Sequence, residues 1–460
     1  MQDLDLSKIN NVHFIGIGGI GVSAVARMMK AMGKNVTGQD MQDGEIVEEL
    51  KKLDIDIKVG HQSYEAIPED TDLVVYTVAI ETYDKELFDK IKNKEVGLPY
   101  LSYVKKFIAK SYPEMLGIIS KDKYTIAVCG THGKTTTTGM LAQIFKDASL
   151  DPTVIVGSLL KDKEGNRTNF IGGTPNRADG QEYFIVEACE YRRSFLKINP
   201  NILVITNIDE DHLDYYKDIE DIKSAFHEMA MKVPSDGFIV CNVNDDNIKD
   251  VVKDINARVI DWQDYFDANL KLKIPGVHNK KNAAASIATG EICGIEKENG
   301  RKYIAEFSGT WRRFEFKGEL PNGVLVYDDY AHHPKEITST LEGFRELYKK
   351  EDNWKITVIF QPHLFSRTKL LLNDFAQSFK DADQVMLLPI YYAREVDDGS
   401  ISSEILELEI NKYTDNAEAF PDFKSLEKNL FIRLENMDDK NIVVTMGAGE
   451  AFKIGETILK

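Results

Sequence analysis

Residues 127–141 read AVCGTHGKTTTTGML. An apolar run breaks at Gly130, a second glycine precedes Lys134 and Thr135, and the residues after them suit a helix. In such a loop the backbone N–H groups and the N-terminus of the following helix face nucleotide phosphates, the lysine reaches the β and γ oxygens, and the hydroxyl ligates Mg²⁺. The longer form of the motif has a glycine where this chain has Val128, so the loop is the shorter G-x-x-G-K-T form. The stretch predicts a strand, a phosphate-binding loop and a helix.

The bulk composition is that of an ordinary globular protein. The 460 residues are 43% hydrophobic and 29% charged, and this length allows several domains because single cores stop growing at roughly 250 to 300 residues. The net charge of −18 argues against a nucleic acid or an anionic membrane as the partner. The cysteines are widely spaced, which indicates reduced thiols, and no apolar run approaches the ~18 residues of a membrane span. We therefore expect a cytoplasmic protein.

Three blocks of alternating strand and helix patterns follow one another along the chain. Each opens on an apolar run that ends in glycine or a polar cluster, as β-α-β units do. The blocks predict an α/β fold with domains at residues 1–120, 121–308 and 309–460. In the first block the predicted strands are NVHFIGIGGIG, KNVTGQD and DLVVYTVAI; in the second YTIAVCG, TVIVG, EYFIVEAC, NILVITNI and GFIVCNV; and in the third GVLVYDDYAHHP, KITVIFQPH, QVMLLPIYY and NIVVTMGAG.

Two predicted helices close the first two blocks. The first covers LPYLSYVKKFIAK at residues 98–110, and the second is the Ala-rich KKNAAASIATGEIC. The third block is expected to begin after FSGTWRRFEF.

A glycine turn follows the first predicted strand. Gly16, Gly18 and Gly21 form G-x-G-x-x-G, and Asp40 follows about 20 residues later. This pattern places a diphosphate at a helix N-terminus and a carboxylate near a ribose. Gly19 reduces the side-chain bulk further, so the backbone can approach a diphosphate closely. The motif leaves open whether the ligand is NAD or a nucleotide sugar, or whether the turn only packs a helix on the sheet.

Acidic residues end two strands of the second block. Glu187 follows one apolar run, and Asp209, Asp211 and His212 follow another. Adjacent parallel strands would bring both ends to the edge that carries the phosphate loop, where open α/β sheets bind ligands. A Mg²⁺ held there by a hydroxyl, a carboxylate and an imidazole is one interpretation. The other is that these residues, together with Glu190, are solvated loop charges.

Amides, arginines and histidines supply further candidates. His278, Asn279 and Asn282 stand at the start of the Ala-rich helix, where an amide either pairs with a base edge or caps the helix. Arginines suit bidentate contacts with phosphate or carboxylate, and paired histidines orient or shuttle protons. In the third block these side chains are Arg312, Arg313, Asp328, Asp329, His332, His333, His363 and Arg367.

These motifs occur in the order found in the Mur ligases, and the chain resembles that family over essentially its whole length. The motifs are GIGGIGVSAVARMM, GTHGKTTTT, EACEYRRSFL, TNIDEDHLDYY, HNKKNAAAS, RRFE, DDYAHHPKEI and QPHLFSRT. GTHGKT is shared across the family, whereas DDYAHHP with QPHxxxR is more specific to the member that adds alanine. The resemblance implies a Rossmann-like N-terminal domain for a UDP sugar, a central P-loop ATPase domain with a mostly parallel sheet, and a Rossmann-like C-terminal domain that closes over the site.

The resemblance also implies a role for each residue that matches a family motif. ATP would contact Gly130, Thr131, His132, Gly133, Lys134, Thr135 and Thr136 through its phosphates, and Asn279 and Asn282 through its adenine. Mg²⁺ would be bound by Thr135, Glu187 and His212. The UDP sugar would contact Gly18, Gly19 and Gly21, with Asp40, His61 and Arg192 as further substrate-binding candidates. Lys134, Arg312, Asp329, His332 and His333 would be catalytic, and His363 and Arg367 would bind substrate.

Two positions depart from the family pattern. EACEY has Cys189 where many members carry an acidic residue, and QPHLF has Leu364 and Phe365 where Thr-Tyr is usual. A hydroxyl contact to substrate is therefore missing at the second position or is supplied by another residue.

The implied reaction joins L-alanine to the lactyl carboxylate of UDP-N-acetylmuramate in peptidoglycan precursor synthesis, with ATP and Mg²⁺ as cofactors. The carboxylate would attack the γ-phosphorus to give an acyl phosphate and ADP, and the amine of alanine would then displace phosphate. Either His332 or His333 would accept the ammonium proton. We expect Lys134→Ala to abolish turnover with little loss of fold, and we expect a monomer or homodimer.

Three other functions stay open from the sequence. A murein peptide ligase would join an intact tripeptide in place of alanine. A nicotinamide-dependent oxidoreductase or redox-sensing protein would use the GIGGIG turn but leave the phosphate loop without a role. A P-loop ATPase that acts as a conformational switch would hydrolyse ATP without either cosubstrate.

Overall fold

The structure is a computed structural model that describes residues 4–93, 107–161, 166–174, 181–213, 215–392, 395–437 and 439–460. The described residues form two compact units. The first unit contains the chain up to Phe266 together with Asn282–Ile304, and the second contains Asp267–Lys281 and Ala305–Lys460. The division falls inside the helix Val277–Ile292.

The first unit begins with a parallel sheet of strand order β3-β2-β1-β4-β5. This is the doubly wound order 3-2-1-4-5-6 of dinucleotide-binding folds up to its fifth strand. Its strands are β1 (Asn11–Ile15), β2 (Asn35–Asp40), β3 (Asp56–Val59), β4 (Leu73–Tyr76) and β5 (Ile108–Ser111). Its helices are α1 (Ile20–Ala31), α2 (Glu45–Lys51), α3 (Ile80–Tyr83), α4 (Lys85–Asn93) and α5 (Tyr112–Lys121).

The second sheet of this unit carries the phosphate loop and has strand order β12-β11-β10-β6-β9-β7-β8. It is parallel except for the β7–β8 pair, which is antiparallel. Its strands are β6 (Tyr124–Cys129), β7 (Thr153–Lys161), β8 (Arg167–Ile171), β9 (Tyr183–Glu187), β10 (Ile202–Ile205), β11 (Phe238–Cys241) and β12 (Arg258–Asp261). The helices are α6 (Lys134–Asp147), α7 (Ile219–Ala230), α8 (Asp246–Val251), α9 (Val277–Ile292) and α10 (Lys297–Ile304).

The second unit is built on a sheet of order β13-β14-β18-β15-β16-β17, in which the β13–β14 pair is antiparallel and the others are parallel. Its strands are β13 (Glu315–Glu319), β14 (Leu325–Asp329), β15 (Lys355–Phe360), β16 (Gln384–Leu387), β17 (Ala417–Ala419) and β18 (Asn441–Met446). Its helices are α11 (Pro334–Leu347), α12 (Phe365–Leu370), α13 (Leu372–Ser378), α14 (Ser403–Ile410), α15 (Phe423–Leu434) and α16 (Phe452–Ile458).

Central strands are buried on both faces, which explains their continuous apolar sequences. Every residue of β4, β10 and β18 is buried, as expected for parallel strands covered by helices on both sides. Helices begin where the chain supplies a cap. Ser111 caps α5 in a capping box with Glu114, and Asp218 accepts a hydrogen bond from the Asp221 backbone N–H at the start of α7. The α/β fold with three mostly parallel sheets is confirmed.

Two expectations about elements are wrong. The helix predicted over residues 98–110 lies partly outside the described residues, and its last part forms β5, because Ile108–Ser111 pairs with β4 along the edge of the first sheet. The third block does not begin after FSGTWRRFEF, because Glu315 and Phe316 already belong to β13 and pair with β14.

The four cysteines are free thiols, as the sequence indicated. Within the ranges that the structure describes, no helix combines the length and the apolar character that crossing a membrane requires.

Candidate active site

The phosphate loop lies between β6 and α6, and both of its glycines are required by the backbone conformation and by close neighbours. Gly130 has φ +131° and Gly133 has φ +84°, which are backbone conformations that other residues rarely adopt. A Cβ on Gly130 would lie 2.0 Å from Thr206 Oγ1, and one on Gly133 would lie 2.7 Å from Asn282 Oδ1. The side chains of Thr206 and Asn282 therefore occupy the space that a Cβ at these two positions would need.

The segment after β10 holds the loop from the side. The Asn207 side chain accepts from the His132 backbone N–H at 2.9 Å and donates to the His132 carbonyl at 2.9 Å. Thr206 Oγ1 donates to the same carbonyl at 2.6 Å, and Thr131 Oγ1 donates to the Asp209 carbonyl at 3.2 Å. These hydrogen bonds fix the backbone whose N–H groups would face phosphates.

Lys134 is the charged group of the loop. Its Nζ donates to the carbonyls of Gly130 at 2.6 Å and Thr131 at 3.0 Å, and to Glu190 Oε1 at 3.0 Å. Burial disfavours the ammonium, but the carboxylates of Glu190 and Glu187 outweigh it and raise the pKa of Lys134 above its usual range. Lys134 is therefore positively charged at every working pH.

Oxygen ligands converge at the first turn of α6. Thr135 Oγ1 donates to Glu187 Oε1 at 3.0 Å, and the other carboxylate oxygen accepts from the Gly157 N–H at 2.7 Å. A hydroxyl and a carboxylate in contact are the oxygen donors that Mg²⁺ takes together with substrate phosphates. His212 Nε2 lies 3.9 Å from Glu190 Oε1 and 3.8 Å from Asp211 Oδ2.

The predicted strand adjacency behind this arrangement is confirmed. β6 lies between β10 and β9, so Glu187 and the Asp209–His212 segment follow strands on either side of the phosphate loop. Across the part of the chain that the structure describes, no three His, Cys, Asp or Glu side chains cluster as a metal site. A cation would thus depend on Thr135 and on phosphate oxygens as well as on Glu187.

The glycine turn of the first sheet is closed by Asp40. The Gly18 N–H donates to Asp40 Oδ2 at 2.7 Å, and a Cβ on Gly18 would lie 3.0 Å from that oxygen. Gly19 precedes α1 as its N-cap residue without a side-chain hydrogen bond. Asp40 therefore stands at the turn, as the fingerprint predicts, and His61 is exposed nearby in sequence.

Arg192 occupies a strained position on the segment after Glu187. Its backbone has φ +53°, and its guanidinium lies 3.3 Å from Glu81 Oε2. This ion pair joins the segment after β9 to α3 of the first sheet. Its proposed contact with substrate stays a prediction.

In the second unit, Asp329 ends β14 as a buried carboxylate. It accepts from the backbone N–H groups of Phe314 at 2.7 Å and Ala331 at 2.8 Å. Burial raises the pKa of Asp329 to about 6, although the Arg313 guanidinium opposes the change. The carboxyl group thus titrates within two pH units of neutrality and holds the start of the DDYAHHP loop.

Histidines and arginines gather around Glu336 next to this loop. His332 Nδ1 lies 2.9 Å from the Tyr330 carbonyl and 3.3 Å from Glu336 Oε2, and its ring centre is 6.0 Å from that of His363. Burial lowers the pKa of His332 to about 4, so the imidazole is neutral near pH 7. Arg367 Nη1 lies 3.4 Å from His363 Nδ1.

Among the remaining predicted residues of this unit, His333 is buried and His278 is half-buried. His333 caps α11 by accepting from the Lys335 N–H at 3.3 Å. Burial, followed by the charge of Arg313, lowers the pKa of His278 to about 4. Asn279 Nδ2 donates to the Pro275 carbonyl at 2.6 Å.

Arg312 is held by protein groups rather than directed at solvent. Its Nε lies 2.7 Å from Asp328 Oδ2, its two Nη atoms donate to the carbonyls of Gly449 and Gly447, and its carbon Cζ lies 4.6 Å from the Phe452 ring centre. Arg312 therefore fixes the ends of β14 and β18, and a direct catalytic contact stays a prediction.

Sequence reasoning missed three residues that these contacts identify. Glu190 is 2% exposed rather than a solvated loop charge, Asn207 holds the phosphate loop, and Glu336 pairs with His332 and with Arg313 at 3.4 Å. Asn207 is the second residue after β10, and this position at the end of an apolar strand is the same signal that identified Glu187.

Comparison with known proteins places this site in a family. The Mur ligase family catalytic domain matches residues 11–124, the Mur ligase middle domain matches 128–265, and the Mur ligase glutamate ligase domain matches 312–449. The chain belongs to the Mur ligase family.

Individual relatives cover the chain from end to end. A UDP-N-acetylmuramate–L-alanine ligase of Caldanaerobacter subterraneus subsp. tengcongensis is 40% identical and covers 100% of this chain and 99% of its own length. The crystal structure of a UDP-N-acetylmuramate-alanine ligase from Thermotoga maritima matches with a TM-score of 0.74 at 27% identity, covering 98% of each chain. A murein peptide ligase from Psychrobacter arcticus matches with a TM-score of 0.68 at 22% identity, again over 98% of each chain, and this likeness shows the fold alone.

Proposed function

We propose that this protein is an ATP-dependent ligase that joins L-alanine to the lactyl carboxylate of UDP-N-acetylmuramate and releases ADP and phosphate. The observation that carries the proposal is the set of Lys134, Thr135 and Glu187 at the phosphate loop, in a chain 40% identical over its whole length to a protein named for this reaction.

Activation of the carboxylate is the chemical requirement. A carboxylate repels an amine and has no leaving group, so amide formation needs an activated ester. One carboxylate oxygen attacks the γ-phosphorus of ATP, the bond from that phosphorus to the β,γ-bridging oxygen breaks, and an acyl phosphate and ADP form. The amine of L-alanine then attacks the acyl carbon, and phosphate leaves with the oxygen that bridged carbon and phosphorus.

The phosphate loop supplies positioning and charge to the first step. The N–H groups of residues 133–136 at the start of α6 would hold the phosphates, because those of Thr131 and His132 already donate to Asn207. The Lys134 ammonium would neutralise the charge that develops on the transferred group. Its contacts with the carbonyls of Gly130 and Thr131 keep the ammonium beside the loop.

Thr135, Glu187 and His212 would hold Mg²⁺. The donor set fits this ion because a hydroxyl oxygen and a carboxylate oxygen are already 3.0 Å apart. When bound, Mg²⁺ neutralises phosphate oxygens. The Glu190 carboxylate lies nearby: Oε1 accepts from Lys134, whereas the buried Oε2 has no hydrogen-bond partner in the described part of the chain.

We assign the second unit to the amine. Arg367 and His363 would bind the carboxylate of the incoming amino acid, because a guanidinium suits that group. Either His332 or His333 would accept the ammonium proton through Nε2, since Nδ1 of His332 lies 2.9 Å from the Tyr330 carbonyl and Nδ1 of His333 accepts from the Lys335 N–H. His332 is neutral near pH 7, as a proton acceptor must be, but its lowered pKa makes it a weak base for this proton.

The same proposal includes three further sets of contacts. These are the contacts of adenine with Asn279 and Asn282, of the diphosphate with Gly18, Gly19 and Gly21, and of substrate with Asp40, His61 and Arg192. The GIGGIG turn then holds a nucleotide sugar, and a nicotinamide-dependent reaction leaves the Lys134 loop of this Mur ligase without a role. A cytoplasmic location and a monomeric or dimeric state also stay predictions.

Cosubstrate omission tests the proposal. We expect ADP release by the purified protein with ATP and Mg²⁺ to require both UDP-N-acetylmuramate and L-alanine. Release that needs neither cosubstrate would indicate an ATPase switch. Release with L-alanyl-γ-D-glutamyl-meso-diaminopimelate but not with alanine would indicate a murein peptide ligase.

A further inference from the structure

Tyr112 stands at the edge of the first sheet that carries the glycine turn. It follows β5 directly as the first residue of α5. The parallel register aligns Ser111 with Tyr76, and Tyr76 with Ile15, which precedes the glycine turn. Tyr112 and the turn therefore leave the sheet at the same edge.

The Tyr112 ring fills the space beside Gly21. A Cβ on Gly21 would lie 2.6 Å from Tyr112 Cζ and 2.9 Å from the hydroxyl oxygen. Gly21 is the third glycine of G-x-G-x-x-G and lies in the first turn of α1. The missing side chain thus lets a phenol from α5 lie against the turn that would bind the diphosphate.

The helix that carries Tyr112 is fixed independently of this contact. Ser111 and Glu114 form the capping box of α5, and a Cβ on Gly117 would lie 2.4 Å from the Lys197 carbonyl oxygen. α5 therefore packs against the 3₁₀ turn Tyr191–Lys197, which follows the strand carrying Glu187. The tyrosine is held in place by its helix rather than by a hydrogen bond of its own.

The Tyr112 hydroxyl makes no hydrogen bond to another residue within the described ranges, although the ring packs against the main core of the first unit. Burial, followed by the negative charge of Glu187, raises the pKa of Tyr112 above its usual range. The group is therefore a protonated donor at neutral pH. Such a donor suits an anionic oxygen bound at the glycine turn.

We propose that the Tyr112 hydroxyl donates a hydrogen bond to the diphosphate of the nucleotide sugar held by the GIGGIG turn, as a further substrate-binding residue. This inference rests on the proposed function, because the binding of a nucleotide-sugar diphosphate at the glycine turn is part of that proposal. Tyr112 adds an uncharged side-chain donor beside the glycine turn, where the Gly18 N–H already donates to Asp40.

Tyr112→Phe tests this contact because it removes the hydroxyl and keeps the ring against Gly21. We expect the dissociation constants of UDP and of UDP-N-acetylmuramate, measured by calorimetry, to rise by about tenfold, the usual effect of losing one hydrogen bond to a charged group. Binding of uridine, which lacks the phosphates, should change less than about twofold. The uridine measurement also reports whether the variant folds.

Tyr124→Phe is the matched control. Tyr124 is a half-buried tyrosine at the first residue of β6, at the opposite end of that strand from the phosphate loop. Its substitution should leave all three dissociation constants unchanged.

Three results with Tyr112→Phe would overturn the proposal: unchanged binding of UDP, an equal loss of UDP and uridine binding, or a loss confined to UDP-N-acetylmuramate. Absence of alanine-dependent ADP release by the wild-type protein would instead contradict the proposed function. The comparison of UDP binding with uridine binding would still test the contact of Tyr112 with the diphosphate.

Discussion

Lys134 and Glu190 form a buried ion pair beside the phosphate loop. Their side chains are 13% and 3% exposed, and Nζ lies 3.0 Å from Oε1. The desolvation of two charges offsets much of their attraction, so such a pair adds little net stability. Removing one partner, however, leaves a buried uncompensated charge. The pair therefore fixes the position of the ammonium more than it stabilises the fold.

Lys134→Ala should abolish turnover because the charge on the transferred phosphoryl group is no longer neutralised. The structure changes the sequence-based expectation of little loss of fold. Because Glu190 would stay buried without its partner, we expect the free energy of unfolding, measured in urea, to fall by roughly 3 kcal/mol. ADP release at a near wild-type rate would contradict the role of Lys134.

The double variant Lys134→Met with Glu190→Gln separates the two effects. Both charges are removed together and the side-chain volumes stay similar, so we expect most of the lost stability to return. Turnover should remain abolished. Recovery of turnover along with stability would show that the single variant fails through its fold.

His332 makes a prediction about pH. Burial lowers its pKa from 6.5 to about 4, so unfolding takes up a proton between these values and the wild-type protein loses stability as the pH falls through them. His332→Gln removes this contribution. We expect the stability advantage of the wild-type protein over the variant to shrink by up to about 3 kcal/mol between about pH 7 and pH 4.

Asp329 acts in the opposite direction on the wild-type protein. Because its pKa is raised, the protonated Asp329 carboxyl group stabilises the folded state at low pH. This contribution is lost as the pH rises through about 6. Asp329 is present in both proteins, so its contribution cancels in the difference between their free energies of unfolding. Urea titrations at each pH measure this difference. A pH-independent difference would contradict the buried neutral state of His332.

The site was predictable where a residue's chemistry and its place after a strand agree. Lys134, Thr135 and Glu187 meet as the sequence indicated. Glu190 was not predictable, because a glutamate in a polar loop is usually solvated and its burial depends on Lys134 reaching it. Arg312 matches a family motif, but the carbonyls of Gly447 and Gly449 that hold it are distant in sequence.

At the scale of elements, the β7–β8 hairpin holds α1 in place. Asn169 on β8 is fully buried and donates to the Ile20 carbonyl at 2.5 Å and to Ser23 Oγ at 2.7 Å. These residues form the first turn of the helix that follows GIGGIG. The central sheet therefore positions the helix that follows the glycine turn of the first sheet.

Asn169→Ala should loosen this attachment. We expect the KM for UDP-N-acetylmuramate to rise by about five- to tenfold, with the KM for ATP nearly unchanged, and the free energy of unfolding to fall by about 1–2 kcal/mol. Arg167→Ala is the control on the same strand, because its ion pair with Glu45 is partly exposed and contributes little. Equal effects on both KM values would contradict the role of the hairpin.

Strands could be predicted where they are buried on both faces, because such strands read as apolar runs. β4 and β10 are examples. The six missed strands are the edge strands of the three sheets: β3, β5, β8, β12, β13 and β17. Four of them, β3, β12, β13 and β17, have no fully buried residue. Edge strands carry a mixed sequence, which is why residues 108–110 also suited a helix.

At the scale of the whole molecule, an acidic chain has to bind anionic substrates. The net charge is −18, so attraction comes from local groups such as Lys134, Arg367 and the backbone N–H groups of two glycine-rich turns. The domain boundaries near residues 120 and 308 stay a proposal. They are supported by the family matches, because the first match ends at residue 124 and the third begins at residue 312. The boundary near residue 120 does not separate compact units, since the first two sheets lie in one unit of the described chain.

Oxygen transfer tests the acyl phosphate most directly. UDP-N-acetylmuramate with both lactyl carboxylate oxygens replaced by ¹⁸O is incubated with the purified protein, ATP, Mg²⁺ and L-alanine, and the phosphate and the UDP-N-acetylmuramoyl-L-alanine are analysed by mass spectrometry. We predict one ¹⁸O atom in each released phosphate and one in the new amide. Phosphate without label, or no alanine incorporated, would contradict activation of the carboxylate by ATP.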